Sequence, residues 1–110
     1  MAKPSKSVRI RRLVLDVLKP HQPRMDVLAI AIGELEVVDS VNIVRTETDS
    51  STEGITVTIV GSNLNFDEIE TVLLEYGTSI HSVDEVVAGE KIIDTVLTPN
   101  EEPPILKSSQ

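Results

Sequence analysis

The 110-residue sequence contains no cysteine, no tryptophan, one phenylalanine and one tyrosine. Without thiols there can be no disulfide, no thiolate metal centre and no cysteine nucleophile, and a reducing cytoplasm is the compartment this composition fits. The apolar stretches hold no aromatic residue apart from Phe66 and Tyr76, so the strands offer no stacking platform for single-stranded nucleic acid. No uninterrupted apolar run approaches the ~18 residues of a membrane span. The basic start "MAKPSKSVRIRR" is followed by no apolar signal core, because "RRLVLDVL" is broken by Asp16 and reads as a strand. Phosphate-cradling glycine loops and dinucleotide fingerprints are missing. "VGSN" lacks the Gly-x-Ser-x-Gly frame of a nucleophile elbow. These absences lead us to expect no catalytic residue, no organic cofactor and no membrane partner.

What is present suits one small domain. Apolar residues make up 40% of the chain, enough for a packed core. A chain of this size buries only ~65% of its unfolded surface, so association with further copies of itself would stabilise it. The net charge of −8 argues against nucleic acid as a partner, since phosphate neutralisation needs a basic surface. The charge is unevenly spread. Lys3, Lys6, Arg9, Arg11 and Arg12 fall in the first twelve positions, which leaves an acidic body behind a basic arm. That arm is either solvated or in contact with a neighbouring copy.

Residues 1–7, with Pro4 and two serines, read as a flexible arm, and 95–110, with three prolines, as a flexible tail. Between them, 8–94 read as a single domain. Residues 8–18 alternate Leu13, Leu15 and Val17 onto one face and Arg12, Val14 and Asp16 onto the other. "KPHQP" is a stiff turn, and Pro23 suits the first position of a helix over 23–36. Met25, Leu28, Ile32 and Leu35 form its buried stripe, while Val27, Ile30 and Ala31 lie off it and suit a subunit contact. Residues 38–49 form a second strand in which Val41 and Ile43 face the core. Arg45, Glu47 and Asp49 continue the same parity past it. "DSSTEG" closes a hairpin into 54–61, with Ile55, Val57 and Ile59 inward. Asn63 or Asn65 caps a second helix whose stripe is Phe66, Ile69, Leu73 and Tyr76, and Gly77 ends it. A last strand runs from near Ile80 to Ala88, and "GEKIIDTVL" suits a short edge segment. The order βαββαβ predicts an α+β, ferredoxin-like sandwich: a four-stranded antiparallel sheet, order 4-1-3-2, with two helices on one face. The other face stays open, with Val14, Thr56, Thr58 and Val60 on it.

The stretches "VRIRRLVLDVLKPHQP", "VNIVRTETD", "ITVTIVGSNLNFDEI" and "GTSIHSVDEVVAGEKI" resemble the archaeal family catalogued as domain of unknown function 211, across roughly residues 8–94. The resemblance implies a ferredoxin-like fold, ring-forming homo-oligomers and an associated divalent cation, calcium, and no enzymatic activity is established for that family. It carries over no ligand set, so site residues rest on geometry alone.

The stretch "SIHSVDEVV", residues 79–87, holds four polar groups where an apolar strand is expected. In the expected topology the start of the last strand lies beside the end of the first. Asp16, His21, His81 and Asp84 then share one end of the sheet. The carboxylates are hard ligands and the histidines softer ones. Parity puts His81 and Asp84 on opposite sides of a regular strand, so both face one site only near a bulge. Glu47, Asp49 and Glu53 cluster around the hairpin loop without the spacing of an EF-hand. The candidate metal ligands are therefore Asp16, His21, Glu47, Asp49, His81 and Asp84, taking a divalent cation such as calcium. Mutual hydrogen bonding and a solvated acidic loop are the alternatives. A third is pairing of the hairpin with Arg9, Arg11 or Arg12 of a neighbouring copy. The function these features suggest is a non-catalytic homo-oligomeric module that binds a divalent cation or a small ligand, in a regulatory role. A ligand-free scaffold is the alternative.

Overall fold

The computed structural model describes residues 7–94. The first six residues of the expected arm and the expected tail lie outside the described residues. Four strands and two helices follow in the order β1 (Ile10–Pro20), α1 (Met25–Gly33), β2 (Val38–Thr48), β3 (Thr52–Gly61), α2 (Phe66–Glu75) and β4 (Ser79–Ala88). The strands form one antiparallel sheet, β2-β3-β1-β4, as the alternation and element order predict. Both helices lie on one face.

The core sits between that face and the helices. Leu13, Leu15 and Val17 of β1 and Ile55, Val57 and Ile59 of β3 are buried against Leu28 and Ile32 of α1 and Ile69 and Leu73 of α2. Each such side chain contributes about 1.5–3 kcal/mol relative to exposure. Val41, Ile43, Met25, Leu35 and Phe66 pack around this centre, partly buried. Tyr76 departs from the expected stripe and is exposed, because it is the C-cap residue of α2, where the helix has already turned away.

Both ends of α2 are satisfied locally. The Asn65 side chain accepts from the Glu68 N–H at 3.1 Å, as an N-cap does. Gly77 adopts φ +78°, and the N–H groups of Gly77 and Thr78 return to the carbonyls of Leu74 and Leu73. This closure needs a left-handed residue, which glycine supplies without strain. Helix α1 is shorter than the 23–36 expected from periodicity. Arg24, not a residue before Pro23, is its N-cap, and no side chain caps it. After Gly33 the chain tightens through Leu35 N–H to Ile32 O and Val38 N–H to Leu35 O, a turn that delivers Val38 to the core. Residues 89–94 form no strand. Gly89, at φ +128°, turns the chain away from the sheet, and the expected edge segment is absent among the described residues.

Candidate functional site

Charged side chains collect at one end of the sheet, where β1 runs into α1 and β2 turns into β3. The alternation that buries Leu13, Leu15 and Val17 continues to Lys19, and that of Ile59, Val57 and Ile55 continues back to Glu53. The antiparallel register makes Lys19 and Glu53 direct partners. Lys19 is 1% exposed. Its Nζ donates to the carbonyls of Pro20 (2.8 Å) and Pro23 (2.6 Å) and stands 3.1 Å from Glu53 Oε1. A buried ammonium is tolerated only when its donors are occupied, and here they organise the turn that launches α1.

Glu53 Oε2 also receives His21, whose Nδ1 is 3.2 Å away, while His21 Nε2 is 3.2 Å from the carbonyl of Ser50. Both ring nitrogens thus face acceptors, and only the imidazolium donates to both. The Glu53 bond and then the Ser50 carbonyl raise the histidine pKa above its ordinary 6.5. His21 and then Lys19 hold the Glu53 carboxyl below its ordinary 4.5. The raised histidine value means that its clip contributes fully below pH 6.5 and fades as pH rises through the folded-state value. Glu53 acts on the other flank: its contribution is present above pH 4.5 and is lost as pH falls through the folded-state value. Thermal melts of wild type and His21→Gln should therefore differ most between pH 4.5 and 6.5 and converge as pH rises through the folded-state value of His21. A gap that widens with rising pH would exclude the imidazolium clip.

The opposite, open face of the same end holds a shallow cavity of about 270 Å³ lined by Asp16, Leu18, Glu47, Gly54 and His81, among others. Three of the six expected ligands meet here, from β1, β2 and β4. Glu47 arrives through a departure from regular alternation. The register of β2 on β3 passes from Arg45↔Ile55 to Glu47↔Gly54, so Thr46 is an extra residue. Arg45 stays on the helix side with Glu53, and Glu47 crosses to the open face; the single parity expected for Arg45, Glu47 and Asp49 is broken by this bulge. The pairing of β4 with β1 slips three times: Arg11 is the additional residue on β1, and His81, between Ile80 and Ser82, and Asp84, between Val83 and Glu85, are the additional residues on β4.

The other three expected ligands stand apart from this cavity. His21 is on the helix side with Glu53. Asp49 folds the hairpin: its Oδ1 accepts from the N–H groups of Ser51 and Thr52, each at 3.1 Å, and from the Thr52 hydroxyl. Those bonds lower its pKa. Asp84 accepts from the Ser82 hydroxyl at 2.7 Å on the β4 edge. Among the described residues no three His, Cys, Asp or Glu side chains gather closely enough within one chain to hold an ion. Of the arginines considered for a neighbouring hairpin, Arg11 is taken up by the carbonyls of Gly61, Gly89 and Glu90, and Arg12 lies 3.7 Å from Glu85. Arg9 is exposed. Periodicity missed Lys19 as a buried group, although its parity with Val17 carried the signal.

A four-stranded antiparallel sheet in this order under two helices, with a polar cluster at one end, defines a ferredoxin-like α+β domain. The chain belongs to the family of domain of unknown function 211, described as uncharacterised ArCR, whose model matches residues 11–102. An uncharacterised protein of Methanocaldococcus jannaschii is 51% identical over 92 residues, covering 84% of this chain and 95% of that protein. No helix among the described residues is long and apolar enough to cross a membrane.

Proposed function

We propose that this protein is a non-catalytic, cytoplasmic, homo-oligomeric module that binds a divalent cation, calcium, or a small ligand, in a regulatory role. The observation that carries the reading is the convergence of Asp16, Glu47 and His81 on the open-face cavity. One copy leaves the ligand set incomplete, so the remaining oxygens come from a neighbouring copy. Asp84, on the exposed β4 edge, is placed for such a contact. Self-association is supported by exposed aliphatic side chains: Val27 and Ile30 on α1, Val44 on β2, Val83 and Val86 on β4. Monomers rarely leave large apolar patches in water. The same exposed aliphatic side chains support a second reading, a scaffold that assembles without a ligand.

Light scattering and thermal melting with calcium, and then with chelator, test both readings. A discrete oligomer whose midpoint rises by roughly 10 °C at a hundredfold excess of calcium over its Kd supports cation binding. Asp16→Asn and Glu47→Gln should each remove that rise. An oligomer indifferent to divalent ions supports the scaffold. A monomer at high concentration, equally indifferent, excludes both.

A further inference from the structure

On the helix side of the same end of the sheet lies a second cavity, of about 370 Å³, and its walls are cationic. Lys19, Arg24, Arg45 and His21 line it against two carboxylates, Asp26 and Glu53. In a chain of net charge −8 this is a local surplus of positive charge. The surplus has a geometric origin. Lys19, His21 and Arg45 all turn toward the single Glu53 carboxylate, so two permanent cations and a histidine share one negative charge. Lys19 and His21 take the short positions. Arg45 Nη1 is left 3.9 Å from Glu53 Oε2, beyond hydrogen-bond distance, and its side chain donates no hydrogen bond among the described residues. It is 55% exposed, so its planar fork of donors is presented to the cavity mouth.

Arg24 stands on the other lip, at the start of α1. Its Nε and Nη2 hold Asp26 at 3.0 and 2.8 Å. Both partners of this pair are well exposed, and exposed pairs of this kind are worth little, so a stronger anion can displace Asp26. The positive end of the α1 dipole points the same way, and no side chain caps it. We propose that this cavity binds a small tetrahedral oxyanion of the phosphate class between the Arg24 and Arg45 guanidinium groups. Tetrahedral oxygens suit donors arriving from separate elements, and guanidinium forks match them with paired hydrogen bonds. The site lies on the opposite face from the open-face cavity and uses none of Asp16, Glu47 or His81, so it stands or falls independently of the cation reading.

The test is calorimetric titration of the full chain with inorganic phosphate, against chloride at matched ionic strength. Phosphate binds measurably above chloride in wild type. Arg45→Gln, at an exposed position where folding is preserved, weakens binding at least about tenfold, the scale of one lost charge-assisted contact. Asp26→Asn tightens it several-fold, because the internal competitor for Arg24 is removed. Lys91→Gln, elsewhere on the surface, leaves it unchanged. Glycerol phosphate as a second probe separates the sources: equal affinity points to the free ion, tighter binding to a phosphate group on a larger molecule. Binding no stronger than that of chloride, equal loss in Arg45→Gln and Lys91→Gln, or no tightening in Asp26→Asn would overturn the proposal.

Discussion

Lys19→Met lowers the thermal midpoint by more than about 10 °C. Methionine nearly matches the length of lysine, so the effect does not come from an empty cavity. It comes from stranding the partners. The carbonyls of Pro20 and Pro23 lose their donor, and the Glu53 carboxylate loses its shortest ion pair. Removing one member of a buried pair costs about 3–5 kcal/mol. His21 still bonds Glu53 and offsets part of the loss, which puts the expectation at about 3 kcal/mol. For a domain of this size each kcal/mol moves the midpoint by about 4–8 °C. A double variant, Lys19→Met with Glu53→Gln, should recover part of the stability, because the second change relieves the stranded charge. A drop below about 3 °C in the single variant, or strict additivity in the double, would show that the buried pair does not hold the turn.

Gly61→Ala destabilises the fold by about 3 kcal/mol or more, at the upper end of overpacking costs, read from the urea midpoint. Gly61 closes β3 and is buried where the chain from α1 enters β2. A methyl group there would overlap the carbonyl oxygen of Val37 and come within 2.6 Å of Leu64 Cδ2. The leucine can rotate, but the carbonyl is fixed, because it accepts from the Ser62 N–H at 3.2 Å. The carbonyl cannot give way without breaking a strand junction. Gly33→Ala is the matched control: its nearest new contact is Val41 Cγ2 at an ordinary 3.9 Å, and in a helix alanine is the better residue. That variant should be neutral or slightly more stable. Equal losses at both positions would indicate a general intolerance to alanine and not a close approach at Gly61.

The architecture was legible because it rests on local patterns. Alternation in β1 and β3 and the stripe through Leu28 and Ile32 each point to the same core, and the buried set agrees. Asn65 and Gly77 mark the ends of α2 through chemistry that acts within a few residues. The candidate site was legible only as a place. Asp16, His21, Glu47, Asp49 and His81 do reach one end of the sheet, because strand order and direction bring them there, while Asp84 lies at mid-strand between the positions of Val14 and Leu15.

Which of them share a face was another matter. Side-chain direction in a strand reverses with every residue, so one inserted residue moves a group to the opposite side. The slip at Thr46 sends Glu47 to the open face and leaves Arg45 with Glu53. The slips at His81 and Asp84 depend on how β4 seats against β1. Such bulges follow from pairing with a neighbouring strand, and the single strand carries no local mark of them. Burial of Lys19 likewise depends on a partner 34 positions away, supplied by the β1–β3 register. Periodicity and caps thus settled the elements, their order and the hydrophobic face. The division of the charged end into a cavity lined by Lys19, Arg24 and Arg45 on the helix side and an acidic one on the open face was settled by register, an interaction between strands that no single stretch contains.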